Sequence, residues 1–528
     1  MPASQKIITK LRERRQIGAD LREMLAADSE LEFHRQAQLI AGQGSQVIPT
    51  IVGSLNRADA RMLSALGTVA GYLDRRAVMA ALRQAVLLPQ LTDHGRIGAI
   101  TILERFLGAP PDDDLLANLR DPEEAAISSL EEVLQQAIGN PAILIEYVQG
   151  LDRQEPDVVV AVVQALRMMV GPAGGPLMAS GHGPRRALGP AVGAVEPLRM
   201  MAQDVRQEIA AEALQALGAF RLPEAVRALQ TLIPISAPEL RPLAVRTLRK
   251  LRFAGVPVVE LSAPDPNWRA LVSPVDGLGQ RSVWFILENR LTGHARFLNI
   301  LLSDRAGAFE AVGHSRVPVR MLPPRRSLGY LHDIALQDGS GAMLMVEAAF
   351  DLGRRLVLDS LAHNRETQIP VAGPLRLLSP WLWGYAGADS LPPASFPLLS
   401  VDDRALDAES GRLLDHPAFA TWHARSETIL HAAEETLRRS GWDLEVWVRR
   451  LAGELFADPA VAQVLSRRLT AMSEWLWLAG DEKRSRLALV AAQAILEGDP
   501  QELPFVKALV RRDLKLFLES LEQGTGDQ

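Results

Sequence analysis

Pro223-Glu-Ala-Val-Arg-Ala-Leu-Gln-Thr-Leu-Ile233, followed after a turn by Pro242-Leu-Ala-Val-Arg-Thr-Leu-Arg-Lys-Leu-Arg-Phe253, is the stretch on which the fold is decided. Both halves space their apolar residues at helical intervals. Each opens on a proline, which the first helical turn tolerates because its missing N–H would be unpaired there anyway. Two such helices form a hairpin with an apolar side that one pair cannot bury alone, so stacked copies are expected. The second helix carries Thr247-Leu248…Leu251, and the same local pattern recurs upstream. It stands at Ala65-Leu66…Val69, Ile102-Leu103…Phe106, Val133-Leu134…Ala137, Ala165-Leu166…Met169 and Ala213-Leu214…Leu217. The second members are separated by 37, 31, 32, 48 and 34 residues, the period that helix-pair repeats produce.

The units that open at Pro49, Pro141, Val195-Glu196-Pro197 and Pro223 resemble HEAT repeats, the two-helix repeats that stack into curved α-solenoids. The resemblance covers about 220 residues and rests most firmly on the Pro…Leu…Asp-Val/Leu-Arg…Ala-Leu order of Val195 to Phe253. It implies a scaffold with an extended recognition surface and carries no catalytic residue onto this chain. The HEAT-like alkylpurine DNA glycosylases line a concave surface with tryptophans. Here all nine tryptophans follow residue 267, so that likeness fails where it matters.

The longest gap has a compositional cause. Gly171 to Ala194 holds seven Gly and four Pro in 24 residues and reads as a loop inserted between two repeats. It lacks the Gly-Lys-Ser/Thr ending of a phosphate loop. Beyond Phe253 the texture changes. A Pro-punctuated linker over 256–266 leads to three runs rich in β-formers, Trp268–Val275, Ser282–Glu288 and Ala295–Leu302, separated by turn sequences. These predict an antiparallel meander, followed by helices over Arg305–Val312, Leu344–Asp351 and Arg354–His363. From His416 the chain reads as five further helices, His416–Ser440, Leu444–Phe456, Ala460–Ala479, Lys483–Glu497 and Leu503–Glu522. The expected class is mainly α in three parts: a HEAT-like α-solenoid over 1–253, a small α+β module over 254–372 and a Trp-rich helical domain over 373–528.

Composition narrows function more than it specifies it. The 528 residues are just under half apolar with a net charge of −6, so bulk charge does not indicate a nucleic-acid binder. There is no cysteine, which removes disulfides, thiolate nucleophiles and cysteine-based metal sites. Only six of the 57 basic residues are lysine, a bias read as that of a GC-rich genome because the arginines are scattered. The first twenty residues lack the apolar core of a secretory signal, and no apolar run is long enough to span a membrane. A cytoplasmic protein is the expectation.

Charge, by contrast, is segregated. Residues 104–157 carry 13 acidic and 3 basic groups, whereas 185–252 carry 11 basic and 6 acidic, ending in Arg241, Arg246, Arg249, Lys250 and Arg252. A chain with an acidic middle and a basic end presents an oriented surface to a charged partner. Those five cations, together with Trp381, Trp383 and Tyr385, which would alternate along an extended segment, are the candidate partner-binding residues. His423, Glu427 and His431 would share one helix face at i, i+4 and i+8, but without a His-Glu-x-x-His pattern no metal is expected there. Asp112-Asp113-Asp114 reads as the start of a helix. Asp304, Glu310 and His314 form no convergent catalytic set, and no nucleophile motif or cofactor loop occurs. The sequence therefore points to a non-enzymatic scaffold or adaptor that binds a protein partner through the concave surface of the solenoid, without metal or cofactor. A nucleic-acid-associated protein using 185–252 is the alternative.

Overall fold

The computed structural model describes residues 16–25, 30–110, 113–116, 118–119, 130–131, 133–138, 140–169, 188–289, 291–335, 342–387, 402–424, 427–438 and 443–525. It is mainly α, with one six-stranded antiparallel sheet. Among the described residues no helix is long and apolar enough to cross a membrane. The chain divides into two compact units, 1–147 with 157–198, and 148–156 with 199–528.

The first unit opens with a helix over 16–25 and continues as α1 (Glu30–Ala41), α2 (Ile48–Ser54), α3 (Ala60–Tyr72), α4 (Arg75–Val86), α5 (Asp93–Thr101) and the short α6 (Asp113–Leu116). Asp59, Asp74 and Thr92 accept from the backbone N–H groups of Met62, Ala77 and Gly95 and so start α3, α4 and α5. One continuous core runs from Ile17 to Leu115. Neighbouring pairs are stitched by side chains. Asn56 donates to the Gln90 carbonyl and accepts from Thr92 N, and buried Arg96 donates to the Val86 and Leu88 carbonyls at the end of α4. Further along are α7 (Ala142–Leu151), α8 (Pro156–Met168) and α9 (Leu188–Met201). The Gly/Pro loop expected over 171–194 is helical at its end. Residues 170–187 lie outside the described residues, but 188–194 are helical, with Pro190 in the first turn, where it does little harm. Pro197, expected to open a unit, lies inside α9.

The second unit takes in 148–156 and the last residues of α9, and continues with α10 (Gln207–Leu217), α11 (Pro223–Leu232) and α12 (Arg241–Phe253). Leu66, Leu103, Leu134, Leu166, Leu214 and Leu248, the recurring second members of the apolar pattern, are all buried. The sheet follows: β1 (Trp268–Val272), β2 (Gln280–Asn289), β3 (His294–Ser303), β4 (Gly307–Pro318), β5 (Leu331–Ala335) and β6 (Ala342–Ala348), in the order β4-β3-β2-β1-β6-β5. The expected meander is its first half. Two predicted helices are strands instead. Arg305–Val312 contributes to β4, which pairs with β3 from Ser303↔Gly307 to His294↔Pro318, and the positive φ of Gly307 closes that hairpin. Leu344–Ala348 lies in β6 between β1 and β5. Both stretches have helix-compatible residues, and cross-strand pairing overrides that local preference.

Helix α13 (Phe350–Thr367) covers one sheet face, where Gly353 meets Phe285 and Ala270. The other face holds Leu271, Ile286, Ala295 and Met345, with Trp284 edge-on to Phe297. It also buries an ionic cluster in which Arg269 contacts Glu288 and Glu347, and His332 Nε2 lies 2.8 Å from Glu347. Then come α14 (Gly373–Leu378), α15 (Pro380–Trp383), two 3₁₀ segments (Asp402–Asp415 and Pro417–Phe419), α16 (Glu427–Arg438), α17 (Leu444–Phe456), α18 (Pro459–Leu478), α19 (Glu482–Glu497) and α20 (Pro504–Thr525). The last four agree with the sequence reading to within a few residues. The predicted helix His416–Ser440 does not form as one piece: Pro417 starts a 3₁₀ turn, 422–424 are irregular, and α16 begins at Glu427.

Candidate functional site

Helix α12, Arg-Pro-Leu-Ala-Val-Arg-Thr-Leu-Arg-Lys-Leu-Arg-Phe, contains no acidic residue. Its helical period sends Ala244, Thr247, Leu248 and Leu251 into the core and leaves the opposite arc to solvent. Arg246, Arg249, Lys250 and Arg252 are exposed on that arc, and none makes a side-chain hydrogen bond or ion pair among the described residues. Arg241 reaches only the Pro234 carbonyl, at 3.3 Å. Cations in the last turn suit the helix dipole, which explains Lys250 and Arg252 locally. No packing role explains Phe253, which is 91% exposed at the end of the same arc. Val259, a few residues on, is 74% exposed. The basic row predicted from sequence is thus brought together as one cationic face with an aromatic residue at its end.

The aromatic candidates lie elsewhere. Trp381 and Trp383 do not alternate along an extended segment; they sit in the one-turn α15. Trp383 is fully buried, with the Arg354 guanidinium 6.0 Å from its ring. Tyr385 Oη accepts from Trp268 Nε1 at 2.9 Å, and Trp268 stacks on Phe350 at 4.9 Å. Trp383 and Tyr385 thus belong to packing around α13. Trp381 is half-buried, with Arg296 5.8 Å from its ring centre.

The histidine stripe does not exist as drawn. His423 precedes α16 and turns its Nδ1 to buried Asp513 of α20, 2.7 Å away, while Asp513 also accepts from the Ala424 N–H. His431 is exposed and lies 3.6 Å from Glu434. Among the described residues no group of three or more acidic or histidine side chains is placed to hold a metal. Asp304 is engaged by Arg468, and Glu310 and His314 are exposed on β4, so these three are not assembled into a site. Asp113 and Asp114 begin α6, and Asp112 lies outside the described residues.

Sequence reasoning missed a cleft of about 830 Å³ in the second unit. Its walls are Leu455 and Phe456 of α17, Val461, Val464 and Leu465 of α18, and Leu509 of α20, while Arg305, Thr421 and His423 bring polar groups to it. Arg468 holds the cleft's frame: it donates to Asp304 at 2.6 Å, to the Gly277 carbonyl at 2.6 Å and to the Leu278 carbonyl at 3.1 Å. Both hairpin tips, β1–β2 and β3–β4, are thereby pinned to α18. Residue 277 must be glycine there, because a Cβ would run into the Thr421 backbone. No local signal marks this cleft in the sequence, since its parts lie more than two hundred residues apart.

No protein-family model, curated protein or solved structure matches this chain.

Proposed function

We propose that this chain is a non-enzymatic scaffold that binds a protein partner carrying an acidic segment, with the exposed face of α12 as its contact. The observation that carries this reading is four unpaired cations on one helix arc beside an aromatic residue that is 91% exposed. An exposed aromatic among arginines is the composition of an interface anchor, and the cations supply steering and register. The burial of all six recurring apolar positions is consistent with the stacked helix pairs a HEAT-like scaffold requires.

The same cations could face a phosphate backbone, which is the second reading. The two separate by titration of the full chain with a labelled Glu-rich peptide bearing aliphatic residues and with a labelled generic duplex. A protein-binding face takes the peptide and retains it at physiological salt, because Phe253 contributes a salt-independent contact. Duplex binding that is tighter than peptide binding and falls steeply with salt, by roughly 0.9 log unit per log unit of salt for each phosphate contacted, would replace this reading with the nucleic-acid one.

A further inference from the structure

Independently of the partner surface, we propose that the cleft between α17, α18, α20 and the two hairpin tips binds a small aliphatic carboxylate of the fatty-acid type. Its volume, about 830 Å³, lies within the range of roughly 300–1,000 Å³ in which small-molecule sites fall. One side is an aliphatic slot made by Leu455, Val461, Val464, Leu465 and Leu509, which favours a hydrocarbon chain by removing it from water.

The polar side leaves little to choose from, because most of its groups are already engaged. Arg468 spends its donors on Asp304 and two carbonyls. Asp276, the single carboxylate among the lining residues, accepts from the Leu278 and Gln280 N–H groups. Thr421 Oγ1 accepts from Gly277 N. Two groups remain. Arg305 lines the cleft with no side-chain hydrogen bond or ion pair among the described residues. His423 has its ring oriented by Asp513 through Nδ1, leaving Nε2 without a partner among the described residues. A permanent cation lining a largely apolar cleft fits an anionic head group with a chain behind it, and the His423 ring, when protonated against Asp513, offers Nε2 as a second donor. A peptide fits less well. The backbone at the slot is helical, with its hydrogen bonds already made, and neither edge strand, β4 or β5, contributes a lining residue.

Calorimetric titration of the full chain with dodecanoate, kept below its micelle concentration, tests this. Dodecyltrimethylammonium serves as the opposite-charge control. One saturable site is expected, with dodecanoate bound at least about tenfold more tightly than the cation. Arg305→Glu, at an exposed hairpin tip, is expected to weaken dodecanoate about tenfold or more while leaving the thermal transition in place. Val464→Trp, which fills the slot, should abolish binding. Absence of saturation, equal affinity for the two amphiphiles, or unchanged dodecanoate binding in a folded Arg305→Glu protein would each overturn the proposal.

Discussion

Arginine outnumbers lysine 51 to 6, and the fold makes specific use of the guanidinium fork. Arg96 donates to two carbonyls at the end of α4, Arg199 to the Arg376 and Leu377 carbonyls of α14, and Arg206 to Gln154 and Leu151 at the end of α7. An ammonium group cannot meet two divergent carbonyls and a carboxylate at once, whereas the five donors of a planar guanidinium can. Scattered arginines read from sequence as mere composition; these three instead tie elements together. A second residue-scale effect is titratable. Burial pushes the Tyr147 hydroxyl up to about 12. An acid whose folded value is raised contributes stability below its unfolded value, here 10.0, and loses that contribution as pH climbs toward 12. Spectrophotometric titration should therefore show one of the four tyrosines ionising near pH 12. Tyr147→Phe should remove that late step and gain stability relative to the native chain between pH 10 and 12. Four tyrosines ionising together near pH 10 would refute the assignment.

At the scale of elements, the sequence was most legible where periodicity and packing agree. The second members of the recurring apolar pairs are all buried, and Gly480 and Asp499-Pro500 mark real breaks between the last helices. It misled where a short apolar run suits either helix or strand. Arg305–Val312 contributed to a strand and Leu344–Ala348 lay in one because β3 on one side, and β1 and β5 on the other, supplied cross-strand hydrogen bonds. The His423–Asp513 contact joins residues 90 apart, and the spacing of His423, Glu427 and His431 pointed to one helix where the structure starts it only at Glu427. The clamp that builds the cleft is equally non-local, with Arg468 of α18 holding tips of β1–β2 and β3–β4. Replacing it by lysine keeps the charge but loses the fork. Arg468→Lys is expected to cost about 2 kcal/mol in urea unfolding, from carbonyls and a carboxylate left with fewer partners. An unchanged midpoint would mean the tips are held by packing alone.

At the scale of the whole molecule, the cationic face of α12 is the part of the candidate site that composition made visible in advance, as the basic end of a charge-segregated chain. What sequence did not reveal is that Arg246, Arg249, Lys250 and Arg252 stand on one arc without a side-chain partner among the described residues, with Phe253 beside them, because exposure depends on how Ala244, Leu248 and Leu251 pack. The most direct measurement is quantitative capture from native lysate at physiological salt. It would compare the tagged full chain with a variant carrying Arg246→Glu, Arg249→Glu, Lys250→Glu and Arg252→Glu, both verified as folded. The account predicts a protein held near one-to-one by the native chain, cross-linked through an acidic segment to α12, and lost from the variant. A partner retained equally by both, or none held by the native chain, would contradict it.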